Sequence, residues 1–207
     1  MRVLVFGASI TQGYWDLDGG WVDRLRRYYD QQKILGVVED PPTVFNLGIS
    51  ADTVQDISKR FKSETEARKR HGKLAFVFCI GTNNAAEGLE RKFDPDEYRD
   101  DLKSLLTMAR EYSDLILLVG LPSCDEAMTT PVSWRDVHYT NERIKKIEDQ
   151  IRLITQEQNI SFVPVFEKFK AAFEKEKDLL FDGLHPNNKG HRLIANLVLP
   201  ELEKLLK

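Results

Sequence analysis

Four short segments carry the side chains that could do chemistry, and they are spread over almost the whole chain. "GASIT" at 7–11 contains Ser9, "NLGIS" at 46–50 contains Gly48, "GTNN" at 81–84 contains Asn83, and "DGLHP" at 182–186 contains Asp182 and His185. A hydroxyl, an imidazole, a carboxylate and a set of N–H donors are the parts that acyl transfer needs. Asp182 and His185 stand three residues apart, so both fit in one turn. The carboxylate then receives Nδ1–H and leaves Nε2 to face Ser9. In this arrangement Asp182 orients, His185 takes the proton and Ser9 attacks an ester carbonyl. The oxyanion is held by the Ser9 and Gly48 backbone N–H groups and the Asn83 amide, with Gly48 open to close approach because it lacks a side chain.

Each residue taken singly has an ordinary reading. Ser9 fits a helix cap or a phosphate-cradling turn, Gly48 a glycine at positive φ, Asn83 a turn, and His185 beside Pro186 a loop closure. Four such accidents in this order are far less expected than any one. His71 lies in the charged run "RKRHGK" and His191 inside the final helical stretch, so both read as surface or helix-face residues. His138 stays open, since its long connection borders the site. Tyr14, Trp15 and Trp134 are candidates for an aromatic wall around an acyl or sugar group.

The elements that must position these groups follow from periodicity. Five short apolar or β-branched runs, at 3–6, 43–47, 74–80, 115–119 and 161–163, are bounded by Gly, Pro, Asp or Asn. Strands buried on both faces look like this. Between them lie amphipathic stretches: Trp21, Leu25, Tyr28 and Tyr29; a stretch to Phe61 with a capped start at Asp52 and Gln55; Tyr98, Leu102, Leu105, Leu106 and Ala109 behind Asp94-Pro95; and Ile144, Ile147, Ile151 and Ile154. A last helix starts near Asn188 and is interrupted or ended by Pro200. Strict β-α alternation demands right-handed crossovers onto a parallel sheet with helices on both faces, a doubly wound α/β domain. Ligands bind such sheets outside the carboxyl ends of the strands, where all four segments fall. Two long connections, 81–93 and 121–139, read as walls of a pocket.

Composition narrows the function classes. At 207 residues and 42% hydrophobic content, one domain spanning 1–207 is expected. Its 30 basic and 33 acidic residues are interspersed, leaving no basic stripe for nucleic acid. No apolar stretch approaches a membrane span or a signal peptide, so a cytoplasmic location is expected. Cys79 and Cys124 form no disulfide framework and no metal spacing, and both read as buried core residues. No cofactor and no metal is expected; the expected partner is a small-molecule ester.

The four blocks resemble those of the SGNH hydrolases, the GDSL-type esterases and lipases, whose name lists the Ser, Gly, Asn and His of these segments. The resemblance covers nearly the whole chain and keeps the block order. It implies a flavodoxin-like three-layer sandwich with five parallel strands in order 2-1-3-4-5, and hydrolysis of esters or thioesters through an acyl-enzyme on a serine. Two positions depart from the family pattern: Ala8 stands where the family usually has Asp, and Asn84 where an acid is common.

Other classes explain less. The G-x-S-x-G elbow of ordinary α/β-hydrolases follows a mid-chain strand, whereas Ser9 follows the first and Thr11 replaces the second glycine. A flavodoxin-like phosphate binder leaves Asp182 and His185 without a role. A metal hydrolase needs a third ligand that does not accompany them. A silenced member kept as a binding module for a carbohydrate or acyl ligand is the alternative that Ala8 raises. Acetylated sugar, short acyl ester, thioester and lysolipid remain equally open as substrates.

Overall fold

The computed structural model describes residues 1–88 and 92–207. Its elements alternate along the chain: β1 (Arg2–Gly7), α1 (Ser9–Gln12), α2 (Gly20–Ile34), β2 (Thr43–Gly48), α3 (Val54–Arg68), β3 (Leu74–Cys79), α4 (Pro95–Arg110), β4 (Ile116–Val119), α5 (Glu126–Thr129), α6 (Asn141–Gln158), β5 (Ser161–Val163), α7 (Phe166–Glu176) and α8 (Asn188–Leu205). The strands form one all-parallel sheet in the order β2-β1-β3-β4-β5. The expected doubly wound sandwich is therefore the observed one.

Successive strand residues point to opposite faces, and the two apolar cores sort accordingly. Leu4 and Phe6 of β1 join Phe76 and Phe78 of β3 on the face covered by Ile57, Phe61, Leu102, Leu105, Ile147 and Ile151. Val3 and Val5 join Ala75 and Val77 on the face covered by Trp21, Leu25, Phe169, Ile194 and Val198. Cys79 and Cys124 are both buried and unpaired with each other. Burial on both sides is why these strands read as unbroken apolar runs.

Helix starts refine the sequence expectation. Asp94 caps α4 by accepting from the Asp96 and Glu97 N–H groups, with Pro95 in the first turn. At α3 the cap is Thr53, whose N–H donates to Asp56 Oδ2 at 3.1 Å, and not the expected Asp52 with Gln55. Asp52 instead accepts from Arg60 Nε at 2.8 Å, which draws its carboxylate off the helix start. Pro200 does not end α8: the helix runs on to Leu205. Burial of Ile194, Val198 and Leu202 on the sheet carries it past the missing N–H.

Of the two long connections, 121–139 holds α5 and a bridge between Thr129 and Val132. The other, 81–93, includes Leu89, Glu90 and Arg91, which lie outside the described residues. Among the described residues no helix is long and apolar enough to cross a membrane.

Candidate active site

β1 delivers Ser9 to the carboxyl edge of the sheet, and α1 begins there at once. Gly7 is required because a Cβ would overlap the Thr11 side chain and the Cys79 carbonyl. Thr11 Oγ1 donates to that carbonyl at 3.3 Å, tying the turn to β3. The Ser9 carbonyl accepts from Gly13 and Tyr14 N–H at 3.0 and 3.1 Å. Ala8 packs into the apolar core beside it.

His185 arrives from the turn between α7 and α8. Its Nε2 lies 2.9 Å from Ser9 Oγ, and its Nδ1 lies 2.8 Å from Asp182 Oδ2. The other oxygen, Oδ1, accepts from the Leu184 and His185 backbone N–H groups at 3.1 and 2.8 Å. Burial works to raise the Asp182 carboxyl, but the His185 ring and these two N–H groups together hold it below the usual carboxylate range. Asp182 is therefore ionised, and its negative charge faces the ring nitrogen that must carry a proton when Nε2 accepts one. Ser9 and His185 are both buried, at 7% and 8% exposure, so little water competes for the bond between them.

The third segment brings Asn83 to the same place. Tyr139 O–H donates to its Oδ1 at 3.1 Å, and its Nδ2 donates to the Asp52 carbonyl at 2.9 Å. The Asp52 carbonyl can only accept, so it fixes which end of the amide is N–H. Asn84, at the position where an acid is common, accepts from Val54 N–H at 3.2 Å and donates to Gln55 Oε1 at 3.1 Å. It secures the start of α3 and does not face Ser9.

Gly48 is placed differently from the sequence expectation. Its N–H donates to Asn46 Oδ1 at 3.0 Å, and it does not line the cavity beside Ser9. Its lack of a side chain serves packing, since a Cβ would run into the backbone of Thr11 and Gln12. The residues of this loop that reach the cavity are Ser50 and Ala51, and Ala51 has the left-handed φ of 68°. A left-handed alanine is held by its surroundings, so nothing in "ISADT" marks it in advance.

The cavity has a volume of about 90 Å³. It is lined by Ser9, Ala51, Asn83 and His185, and by Trp134, Arg135, Val137 and Tyr139 from the long 121–139 connection. Trp134 stands over His185 with ring centroids 5.9 Å apart, and Tyr14 packs on the same imidazole at 5.8 Å. Of the three aromatic candidates, Tyr14 and Trp15 do not line this cavity: Tyr14 packs behind the imidazole, while Trp15 Nε1 donates to Asp182 Oδ2 at 3.1 Å and its ring stacks on Phe181. Tyr139 was not singled out in the sequence, although the length of its connection marked the segment.

The remaining histidines separate cleanly. His71 is exposed, and His138 is half-buried beside Asp136. His191, expected on a surface or helix face, is fully buried. Burial pulls its imidazole down to about 4, and its Nε2 lies 3.3 Å from the Tyr14 carbonyl, where a neutral ring donates. Among the described residues no group of three His, Cys, Asp or Glu is placed to hold a metal ion.

A family model described as the GDSL-like Lipase/Acylhydrolase family matches residues 5–193. A search of curated proteins finds no match. Among solved structures, a lipase/acylhydrolase from Enterococcus faecalis is 24% identical, with a TM-score of 0.75 over 98% of this chain and 95% of that one. A member of the lipolytic G-D-S-L family from Veillonella parvula is 19% identical, with a TM-score of 0.74 over 97% of each chain. An acetylxylan esterase from Geobacillus stearothermophilus is 21% identical, with a TM-score of 0.72 over 97% of this chain and 93% of that one. At these identities the likeness is one of fold.

Proposed function

The chain belongs to the GDSL-like lipase/acylhydrolase family, and from that premise we propose that it is a serine esterase or thioesterase that removes short acyl groups through an acyl-enzyme on Ser9. One observation carries the reading: the unbroken line from Ser9 Oγ through His185 to Asp182, at 2.9 and 2.8 Å, opening onto a cavity of about 90 Å³. His185 Nε2 takes the Ser9 proton as Oγ attacks the acyl carbonyl, and Asp182 steadies the imidazolium. The tetrahedral oxyanion is held by the Ser9 N–H, the Asn83 amide and the N–H of Ala51, which takes the part that the sequence assigned to Gly48. His185 then gives its proton to the leaving oxygen or sulfur. Water, deprotonated in turn by His185, attacks the acyl-serine carbonyl and releases the acid, and Ser9 recovers its proton.

Cavity size supports a short acyl group such as acetyl. One structural neighbour carries the name acetylxylan esterase, which makes acetylated carbohydrate the first natural substrate to try. The test is a series of p-nitrophenyl esters from acetyl to octanoyl, run beside labelling by a fluorophosphonate. Turnover should be highest for the shortest esters, and the label should map to Ser9. Labelling of a different serine, or none on protein that turns over esters, would sink the reading.

Ala8 supports the second reading, a silenced binding module, because it occupies the position where the family usually has Asp. If the natural chain is inert on every ester while Ala8→Asp turns over esters in a Ser9-dependent way, that second reading replaces the first. We expect measurable turnover by the natural chain, with Ala8→Asp changing kcat/KM by no more than ~10²-fold.

A further inference from the structure

We infer that Trp15 is a positioning residue for Asp182: its indole N–H fixes the carboxylate oxygen that carries His185 and ties that oxygen to the element bearing Ser9. The inference rests on the hydrolytic reading of Ser9, His185 and Asp182.

Asp182 Oδ2 receives two N–H donors, His185 Nδ1 at 2.8 Å and Trp15 Nε1 at 3.1 Å. Both donors to Oδ1 are backbone groups of Asp182's own turn. Among the described residues, Trp15 is the donor that comes from outside that turn, 167 positions away in the chain. A carboxylate held by its own turn alone swings with that turn. Trp15 lies six residues after Ser9, just past α1. Its bond therefore closes a second link between nucleophile and orienting acid, parallel to the one through His185.

The loop that presents the indole is itself pinned. The Tyr14 carbonyl accepts from buried His191. The Asp16 carboxylate pairs with Arg24 and accepts from Gly20 N–H at 3.1 Å and Asn188 Nδ2 at 3.2 Å. Trp15 sits between these anchors at φ 61°, a left-handed backbone that bulky residues rarely adopt and that persists only where the surroundings impose it. The ring then lies on Phe181, the residue before Asp182, with centroids 5.2 Å apart and planes 28° from parallel. An exposed aromatic at the mouth of a site would ordinarily be read as a surface for substrate, and Trp15 is 55% exposed. The direction of its N–H, into the carboxylate, and its absence from the cavity lining separate the two roles.

Trp15→Phe keeps the stack and removes only the donor. With p-nitrophenyl acetate, kcat should fall ~10-fold, the usual cost of losing a group that orients a working residue, while KM stays within about twofold. The acidic limb of kcat/KM should move to higher pH, because a carboxylate short of one donor holds the proton on its histidine partner more tightly. Independently of turnover, the indole N–H resonance of Trp15 in the folded full chain, assigned by its loss in Trp15→Phe, should shift in Asp182→Ala. A raised KM with kcat and pH profile unchanged would make Trp15 a substrate wall and overturn the inference, as would an indole resonance indifferent to Asp182. Ester hydrolysis that survives Ser9→Ala would instead sink the hydrolytic reading. An inactive Ser9→Ala beside a Trp15→Phe like the parent would sink the inference alone.

Discussion

Ser9 and Asn83 extend from β1 and β3, neighbouring strands in the middle of the sheet, whereas Asp182 and His185 stand on a turn between two helices that no strand supports. On the sheet side, position is set by ladder pairing and by tight backbone approach, as at Gly7 and Gly48. On the turn side it is set by single bonds, one inside the turn from Asn187 N–H to the Leu179 carbonyl at 2.9 Å, and two from other loops, Asp125 N–H to the Gly183 carbonyl at 2.8 Å and Trp15 to Asp182. The difference teaches where the site is vulnerable. Truncating a side chain on the sheet side removes a function and leaves the scaffold, while the turn side depends on groups whose loss lets the geometry drift.

The largest effect tests the sheet side. Ser9→Ala should lower kcat by ~10⁴- to 10⁶-fold, as removal of a nucleophile does, with thermal unfolding unchanged. A clear drop in melting temperature would show that Ser9 also holds the scaffold and would blur the contrast. Asn83→Ala comes next, with kcat expected to fall ~10²- to 10³-fold for one lost oxyanion donor. A change under about threefold would reduce Asn83 to a turn residue.

On the turn side, pH is the lever. The unfolded chain protonates His191 near its reference value of ~6.5, whereas the folded chain resists until about 4. Between those values the unfolded state binds more protons, so stability is present above the window and is lost as pH falls through it. The loss amounts to about 3 kcal/mol from this group. Urea unfolding at pH 7 and at pH 4 should show this drop in the parent and much less of it in His191→Gln, whose amide can still donate to the Tyr14 carbonyl. Equal drops in both would mean that another group drives acid unfolding. Smallest is Tyr139→Phe, which removes the Tyr139 O–H bond to Asn83 Oδ1; kcat should fall ~3- to 10-fold with KM little changed. No change would show that Asn83 is oriented without the Tyr139 hydroxyl.

Much of this molecule was legible beforehand. Strands buried on both faces must be apolar throughout, so 3–6 and 74–80 announced themselves. Parallel crossovers then brought the loops after β1 and β3 to one edge, and placed Ser9 and Asn83 there without coordinates. Asp182 and His185 were legible because their spacing is local: three residues make one turn.

Tertiary structure decided what depends on contacts between distant segments. Sequence pointed to Gly48 because glycine is the residue expected where backbone must be approached. Packing against α1 used Gly48 for another purpose, and the loop's own constraints turned Ala51 left-handed at the cavity. His191 carries no sign of burial in its neighbours, yet α8 lays it under the Tyr14 loop. Trp15 read as a possible wall because a side chain's type is written in the sequence while its direction is not. Its N–H is aimed by a left-handed backbone, set between near anchors at Gly20 and Arg24 and distant ones at Asn188 and His191, and by a stack on the distant Phe181. Local periodicity and spacing thus determined that Ser9, Asn83, Asp182 and His185 would gather at one edge of the sheet, and long-range packing determined which way each points and which further groups, Ala51 and Tyr139 among them, join them.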